Sequence, residues 1–249
     1  LPIPAYRHHA LILGPDGSRL SKRHGATSVN SYKEDGFLAE ALVNYLVRLG
    51  WSHGDQEVFT RQEMIDAFDI RDVNKAASAF NGEKLLWLNQ QHMMKAPVAT
   101  LAAGLRGQLA RLGIECADQG LLEGVANAQR ERAKTLKEMA QGSLFFFRDF
   151  GEYEPKAAKK NLGRDSLPVL EALGVALGAV ADWKAGPVHE ALNAVATRLG
   201  VGLGKVAQPL RVAVTGGAVS PPIDLTLALL GRERVMMGLE RARRYALDG

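Results

Sequence analysis

Apolar side chains recur at the spacing of an α-helix along most of the chain beyond residue 35. The first clear run, which Gly50 ends, consists of Phe37, Leu38, Ala41, Leu42, Tyr45, Leu46 and Leu49. Two Ser/Thr-x-x-Glu patterns, Ser31 to Glu34 and Thr60 to Glu63, predict capping boxes at helix starts. Further helices are predicted around Leu85 to Met93 and from Pro97 to Gly113.

The remaining segments complete a mainly α prediction. Residues 1–35 alternate short apolar runs with Gly and Asp turns, which predicts a strand, a loop and a strand remnant. Residues 121–138 predict one continuous helix. Residues 151–164 hold Gly, Pro and lysines and predict a linker. Beyond this linker, four or five helices with enough apolar positions for a small bundle core are expected.

Composition narrows the class of protein. The 249 residues suffice for two or three compact units with real cores. The sequence contains no apolar stretch near the roughly 20 residues that span a bilayer, and its start lacks a signal-peptide pattern. We therefore expect a cytoplasmic protein with no membrane segment. The single Cys116 excludes an internal disulfide and a multi-cysteine zinc site, so no protein-bound metal is expected.

The net charge of +4 is modestly basic and favours phosphate contacts at selected places over a long DNA-binding surface. Cationic residues form three clusters, which are Arg130, Arg132, Lys134 and Lys137; Lys156, Lys159 and Lys160; and Arg232, Arg234, Arg241, Arg243 and Arg244. For each cluster a solvated helix face is the alternative interpretation.

A glycine-punctuated turn near the start of the chain leads into a basic loop. The turn is Gly14-Pro15-Asp16-Gly17, and the loop is Leu20-Ser21-Lys22-Arg23-His24-Gly25. Two cations beside the Ser21 hydroxyl suit phosphate charge, although solvated surface is again the alternative. The later segment 200–205 lacks the Gly-x-Gly-x-x-Gly spacing and a preceding apolar strand, so it does not predict a nucleotide loop.

The turn and basic loop resemble the second signature, the KMSKS loop, of bacterial glutamyl-tRNA synthetases. Residues 40–52, 84–89 and 204–216, followed by Ser220-Pro221 and residues 229–234, are similar to later segments of that family, in the same order and at similar spacing. The family's His-Ile-Gly-His-like first signature is absent from this sequence. The resemblance therefore covers the C-terminal half of such an enzyme.

The resemblance implies a domain organisation. Residues 1–95 would be the end of the catalytic domain, with the KMSKS-like loop and stem-contact helices. Residues 96–155 and 156–249 would be the first and second helical anticodon-binding subdomains. The fold class is then a small strand and loop remnant followed by all-helical modules.

The family resemblance also implies a reaction with ATP. Glutamate would attack the α-phosphate of ATP to give glutamyl-adenylate, and the terminal ribose of the tRNA would then take the glutamyl group. Lys22 is the catalytic candidate, and Ser21, Lys22 and Arg23 are the ATP-binding candidates, with Mg²⁺ held mainly by phosphates and water. Arg19 stands where the family's motif has its first lysine, and His24 is a weaker candidate.

Anticodon contacts are implied by the same resemblance. Arg130 or Arg132 would meet the third anticodon base. The other implied contacts are Gln208, Arg211, Ser220 and Pro221. Bases in an anticodon are splayed, so that arginine and glutamine can read their edges. The segment that begins at Ser220 lacks the family's usual glycine after the first proline, and a turn with a structural arginine is the alternative.

The expected partners are a glutamate-accepting tRNA and, through the missing N-terminal half, ATP and L-glutamate. The family expectation is a monomer. The 249 residues alone are expected to bind tRNA without aminoacylating it. The alternative function is a stand-alone tRNA-binding or regulatory module without catalysis. A short paralogue that modifies a tRNA base is less suitable, because such proteins are expected to lack the anticodon-binding half.

Overall fold

The computed structural model describes residues 3, 6, 9–21, 24 and 28–248. The described residues are mostly helical and include one small sheet, which confirms the predicted mainly α class. The strands are β1 (Ile12–Leu13) and β2 (Ser78–Ala79). The helices are α1 (Val29–Glu34), α2 (Ala39–Arg48), α3 (Arg61–Ala67), α4 (Gly82–Lys95), α5 (Val98–Arg111), α6 (Gln119–Gln129), α7 (Leu136–Gln141), α8 (Leu144–Phe147), α9 (Pro155–Asn161), α10 (Leu167–Gly178), α11 (Ala185–Leu199), α12 (Leu203–Thr215), α13 (Ile223–Leu230) and α14 (Arg232–Asp248). Single 3-10 turns cover Ile70–Asp72 and Arg164–Ser166.

The chain divides into two compact units. Unit 1 consists of Leu1–Arg111 and Arg130–Ala140, and unit 2 consists of Leu112–Gln129 and Gln141–Gly249. The chain thus leaves unit 1 and returns to it. The functional boundaries near residues 95 and 155 remain predictions.

Unit 1 is built on the packing of α2 against α4. Their shared core consists of Leu42, Tyr45, Leu49, Leu85 and Leu88. Strand β1 pairs with β2 in parallel, with Ile12 opposite Ser78. The capping box predicted at α3 is confirmed, because Thr60 Oγ1 accepts from the Glu63 N–H at 3.2 Å and Glu63 Oε2 accepts from the Thr60 N–H at 2.6 Å.

Three local predictions are wrong. The side chain that caps α1 is Ser28, so Ser31 and Glu34 lie inside that helix and form no capping box at its start. The helix predicted over residues 121–138 ends at Gln129 and resumes as α7 after a six-residue irregular segment. The predicted linker at residues 151–164 contains α9, in which Pro155 takes the first helical position and two alanines are buried.

Unit 2 is a helical bundle, as its apolar spacing predicts. Helix α10 packs against α11 and α14, and α12 packs against α11 and α14. The α12–α14 crossing is close, because a Cβ on Gly238 would come within 2.9 Å of the Ala213 carbonyl oxygen. None of the helices in the described part of the chain combines the length and apolar character that a bilayer crossing needs.

Candidate functional site

The basic loop follows directly from the small sheet. Strand β1 is held by β2 on one side, and the turn after β1 is closed by the Gly14 N–H, which donates to the Ser18 carbonyl at 2.8 Å. The Leu20 N–H then donates to the Ile12 carbonyl at 2.9 Å. The sheet therefore delivers the chain to Ser21. The predicted site residues Lys22 and Arg23 lie outside the described residues.

The His24 side chain connects the turn to the loop. Its Nε2 lies 3.1 Å from Asp16 Oδ1, and its Nδ1 accepts from the Ser21 N–H at 3.1 Å. The Ser21 hydroxyl is 3.2 Å from the same Nδ1. Of the predicted ATP-binding residues, Ser21 is therefore held in place by an imidazole three residues further on.

Asp16 is the anionic member of this arrangement. The Ser18 N–H donates to its Oδ1 at 3.0 Å, and the Ser18 hydroxyl donates to the same oxygen at 2.9 Å. The backbone hydrogen bond from Ser18, followed by the hydrogen bond from His24, lowers the pKa of Asp16 to about 2. The carboxylate is therefore ionised across the physiological range and accepts hydrogen bonds from both sides.

A second candidate region is the irregular segment between α6 and α7, which contains Arg130 and Arg132. The Arg130 guanidinium donates through Nη2 to the carbonyl oxygens of Met93, at 3.0 Å, and Ala96. Both carbonyls lie at the C-terminal end of α4, where helix carbonyls lack helical partners. Arg130 thus caps a helix of unit 1.

Arg132 differs from Arg130 in its surroundings. Its side chain is exposed and makes no hydrogen bond or ion pair with any residue that the structure describes. The backbone around it is nevertheless fixed, because Gln90 Nε2 donates to the Glu131 carbonyl at 2.8 Å and the buried Asn89 Nδ2 donates to the Lys134 carbonyl at 2.6 Å. This segment presents a cation on an anchored backbone.

The third candidate region lies in unit 2, where α12 meets the turn before α13. Arg211 Nη1 donates to the carbonyl oxygens of Ser220, at 3.2 Å, and Pro221, at 2.8 Å, and also contacts Ser220 Oγ. The buried Thr226 hydroxyl donates to the Pro221 carbonyl at 3.2 Å. Gln208 is exposed one helical turn before Arg211. The structure thus brings together Arg211, Ser220 and Pro221 and leaves Gln208 at the surface.

The three cationic clusters differ in how they are used. Within the C-terminal cluster, Arg234 donates to the carbonyls of Phe145 and Phe146, and the Arg241 guanidinium lies 3.6 Å from the centroid of the Phe150 ring. Arg243 and Arg244 pair with glutamates. This cluster therefore serves mainly to hold unit 2 together.

The lysine cluster on α9 is organised differently. Lys156, Lys159 and Lys160 are all exposed, and none of them forms an ion pair within the residues that the structure describes. Their backbone is held by the burial of Ala157 and Ala158 on the opposite face of α9. A row of unpaired ammonium groups suits phosphate contact.

Metal ligands and the residues that anchor the candidate regions complete the description. Among the described residues there is no group of three or more His, Cys, Asp or Glu side chains that could hold a metal ion. The anchoring roles of Asn89, Gln90 and Thr226 had no sequence signal, because each depends on a contact with a distant or irregular segment. The link from Asp16 to His24 had a weak one, a turn carboxylate close in sequence to an imidazole.

Comparison with family models gives two matches along the chain. Residues 91–243 match the model described as "Anticodon binding domain". Residues 1–87 match "tRNA synthetases class I (E and Q), catalytic domain".

Individual relatives agree with these matches. "Glutamate--tRNA ligase 1" of Alkalilimnicola ehrlichii is 55% identical over 239 residues, which are 96% of this chain and 51% of that protein. "Glutamate--tRNA ligase 2" of Halorhodospira halophila is 51% identical over 242 residues, which are 97% of this chain and 51% of that protein. The chain therefore spans about half the length of the curated relatives it matches.

Solved structures show the same relation. A glutamate tRNA ligase from Elizabethkingia meningosepticum superposes with a TM-score of 0.85 at 29% identity, covering 97% of this chain and 52% of that chain. The glutamate-tRNA synthetase from Elizabethkingia anophelis gives a TM-score of 0.82 at 29% identity, covering 98% of this chain and 52% of that chain.

Proposed function

Because this chain belongs to the glutamate–tRNA ligase family, we propose that it is the tRNA-binding portion of an enzyme that joins glutamate to its tRNA. The observation that carries the proposal is the match of residues 91–243 to an anticodon-binding domain. The exposed cations of both units support it, since they stand on backbone that internal contacts hold fixed.

Of the two arginines offered for the third anticodon base, we assign the contact to Arg132. Its exposed guanidinium keeps its donors available for a base edge, whereas Nη2 of Arg130 is already engaged by two carbonyls at the end of α4. Arg130 then has a structural role. Replacing Arg130 would remove its hydrogen bonds to the end of α4 and so weaken the anchoring of the backbone around Arg132.

In unit 2 the surface that would contact anticodon bases lies around α12. Gln208 offers an amide that can both donate to and accept from a base. Arg211 orders the turn through the Ser220 and Pro221 carbonyls, so these three residues shape the site next to Gln208. The row formed by Lys156, Lys159 and Lys160 would contact phosphates, which gives affinity without sequence preference.

The chemical step belongs to the basic loop in the whole enzyme. ATP would react with glutamate to give glutamyl-adenylate and pyrophosphate, and a hydroxyl of the terminal tRNA ribose would then accept the glutamyl group as AMP leaves. Lys22 would follow the negative charge that moves toward the leaving pyrophosphate, with Ser21 and Arg23 supporting the nucleotide. Magnesium would arrive with ATP, bound through phosphate oxygens and water. Replacing Lys22 by alanine in the full-length enzyme should lower the rate about 100-fold to 1000-fold.

The proposal is tested by binding of the 249-residue chain to three unmodified transcripts: tRNA for glutamate, tRNA for glutamine and an unrelated tRNA. We expect the glutamate transcript to bind best at physiological salt. Arg132→Ala should remove about 5-fold to 150-fold of this preference, the range of one base contact. The matched control is Arg111→Ala, an exposed arginine of the same unit at the end of α5, which should leave the preference unchanged.

Two further measurements separate the parts of the proposal. Replacing Lys156, Lys159 and Lys160 by glutamine should weaken all transcripts alike and reduce the salt slope by about 1 for each phosphate that is no longer neutralised. The isolated chain should form no detectable glutamyl-tRNA. Equal binding of all three transcripts, or an unaltered preference in Arg132→Ala, would contradict the assignment of anticodon reading to this chain.

A further inference from the structure

The His24 ring is packed between the turn that follows β1 and the start of the basic loop. A Cβ on residue 14 would come within 2.7 Å of the His24 ring carbon Cδ2, closer than packed side chains approach. Gly14 therefore leaves the space that the ring occupies. The His24 side chain is only 14% exposed although the neighbouring turn is at the surface.

The hydrogen bonds around this ring determine which nitrogen carries the proton. The Ser21 backbone N–H can only donate, so Nδ1, at 3.1 Å, presents its lone pair. The proton then resides on Nε2, which lies 3.1 Å from the Asp16 carboxylate oxygen. The Asp16 carboxylate accepts hydrogen bonds both from the ring and from Ser18, so each of these hydrogen bonds pairs a donor with an acceptor.

The same residue also closes the loop through its backbone. The His24 N–H donates to the Ser21 carbonyl at 2.9 Å, while the Ser21 N–H donates to the His24 ring. Ser21 and His24 are thus joined by reciprocal hydrogen bonds. Lys22 and Arg23 are the two residues between them in the sequence.

We propose that His24 is a positioning residue for the ATP-handling loop, which it holds by linking Ser21 to the Asp16 turn through a ring protonated at Nε2. The inference rests on the proposed function, because the loop has a nucleotide to handle only in a ligase. His24 acts through the geometry of its neighbours: it fixes the spacing of the two residues that flank Lys22 and Arg23. A misplacement of about 1 Å in a group that acts on the substrate can lower a rate about 100-fold.

His24→Ala removes the whole ring, and four further substitutions test its contacts one at a time. His24→Asn keeps an acceptor near the place of Nδ1 and removes the donor toward Asp16. His24→Gln keeps an amide donor near the place of Nε2. Asp16→Asn removes the charge but leaves an acceptor. Gly14→Ala displaces the ring without removing any polar group.

Two controls match these variants. His189→Ala removes the imidazole of another histidine–aspartate pair, in which His189 Nδ1 lies 3.4 Å from Asp224 Oδ2 in unit 2. Gly82→Ala adds a methyl group where no other atom lies within 4 Å.

The first measurement is the ¹⁵N chemical shift of both His24 ring nitrogens in the 249-residue chain, which distinguishes a protonated nitrogen from a lone pair. We expect a protonated Nε2 and an unprotonated Nδ1. Gly14→Ala should alter both shifts, and Gly82→Ala should alter neither. A proton on Nδ1, or shifts unaffected by Gly14→Ala, would overturn the arrangement itself.

The second measurement is glutamyl-tRNA formation by the full-length enzyme with ATP varied. His24→Ala and Gly14→Ala should each lower kcat or raise the KM for ATP by about 10-fold to 100-fold. The KM for tRNA should remain unchanged, and His24→Asn, which keeps the Ser21 contact, should recover part of the loss. His189→Ala should behave as the unsubstituted enzyme.

The outcomes distinguish a failure of this inference from a failure of the proposed function. If the unsubstituted full-length protein forms no glutamyl-tRNA, the proposed function fails, and with it any role of His24 in handling ATP. If that protein is active and His24→Ala stays within twofold of it, the positioning role is wrong while the ligase assignment stands.

Discussion

Replacing Asn89 by alanine should strongly destabilise unit 1. The Asn89 side chain is fully buried, its Oδ1 accepts from the Leu38 N–H at 2.8 Å, and its Nδ2 donates to the Lys134 carbonyl at 2.6 Å. Alanine leaves both backbone groups without their partner. The buried Leu38 N–H would be left unsatisfied at a cost of about 1–3 kcal/mol, whereas the carbonyl belongs to the exposed Lys134, so the free energy of unfolding should fall by about 1–3 kcal/mol. This is a sizeable share of the about 5–15 kcal/mol that stabilises a typical domain.

The assay is guanidinium unfolding of the 249-residue chain followed by circular dichroism, together with amide hydrogen exchange at Leu38. The control is Asn74→Ala, because the Asn74 side chain is exposed. We expect faster exchange at Leu38 in Asn89→Ala and little change in the control. A loss below about 1 kcal/mol would show that the two backbone groups find other partners, and would refute the reasoning.

Three further predictions follow from single contacts. Gly36→Ala should lower the free energy of unfolding by at least about 2 kcal/mol, because φ is +81° and the new Cβ would lie 2.4 Å from the Lys137 backbone nitrogen. Gly54→Ala is the control for backbone strain alone, because its φ is +53° and no atom lies near the new Cβ, and it should cost less in the same unfolding assay. Burial lowers the pKa of His92, so the unfolded chain binds the proton more readily and stability should fall as the pH drops below about 6.5. His92→Gln should flatten this dependence in urea midpoints measured at pH 7 and pH 5, and an equally steep dependence would contradict it. Arg211→Lys should lower stability by about 1–2 kcal/mol, because an ammonium cannot reproduce the guanidinium contacts to the turn after α12; an unchanged melting curve would count against that role.

The helices that the sequence predicted well are those with strong local signals. Helix α2 follows from its apolar spacing and the glycine after it, and the start of α3 follows from Thr60 and Glu63. Helix α9 was missed although Pro155 is a favoured first residue, because the surrounding Gly and Lys residues suggested a linker. At α1 the Ser31-x-x-Glu34 pattern pointed to Ser31, whereas the helix is capped by Ser28 three residues earlier, which the pattern alone did not indicate.

The break between α6 and α7 could not be predicted locally. Residues 130–135 include no Gly or Pro to end a helix, and their irregular path is stabilised by Asn89 and Gln90 on α4. The same contacts decide the roles of Arg130 and Arg132, which look equivalent in sequence. Which arginine caps a helix and which is exposed depends on residues about forty positions away.

The discontinuity of unit 1 has a consequence for synthesis on the ribosome. Lys137 pairs with Asp35 across 102 residues, and the Lys134 carbonyl reaches Asn89 across 45. At about 5–20 residues per second, Lys137 is synthesised roughly 5–20 s after Asp35. The segment with Arg132 is therefore the last part of unit 1 to be synthesised, so a nascent chain holds all residues of its sheet and its α2–α4 core before it gains the arginine proposed to read tRNA.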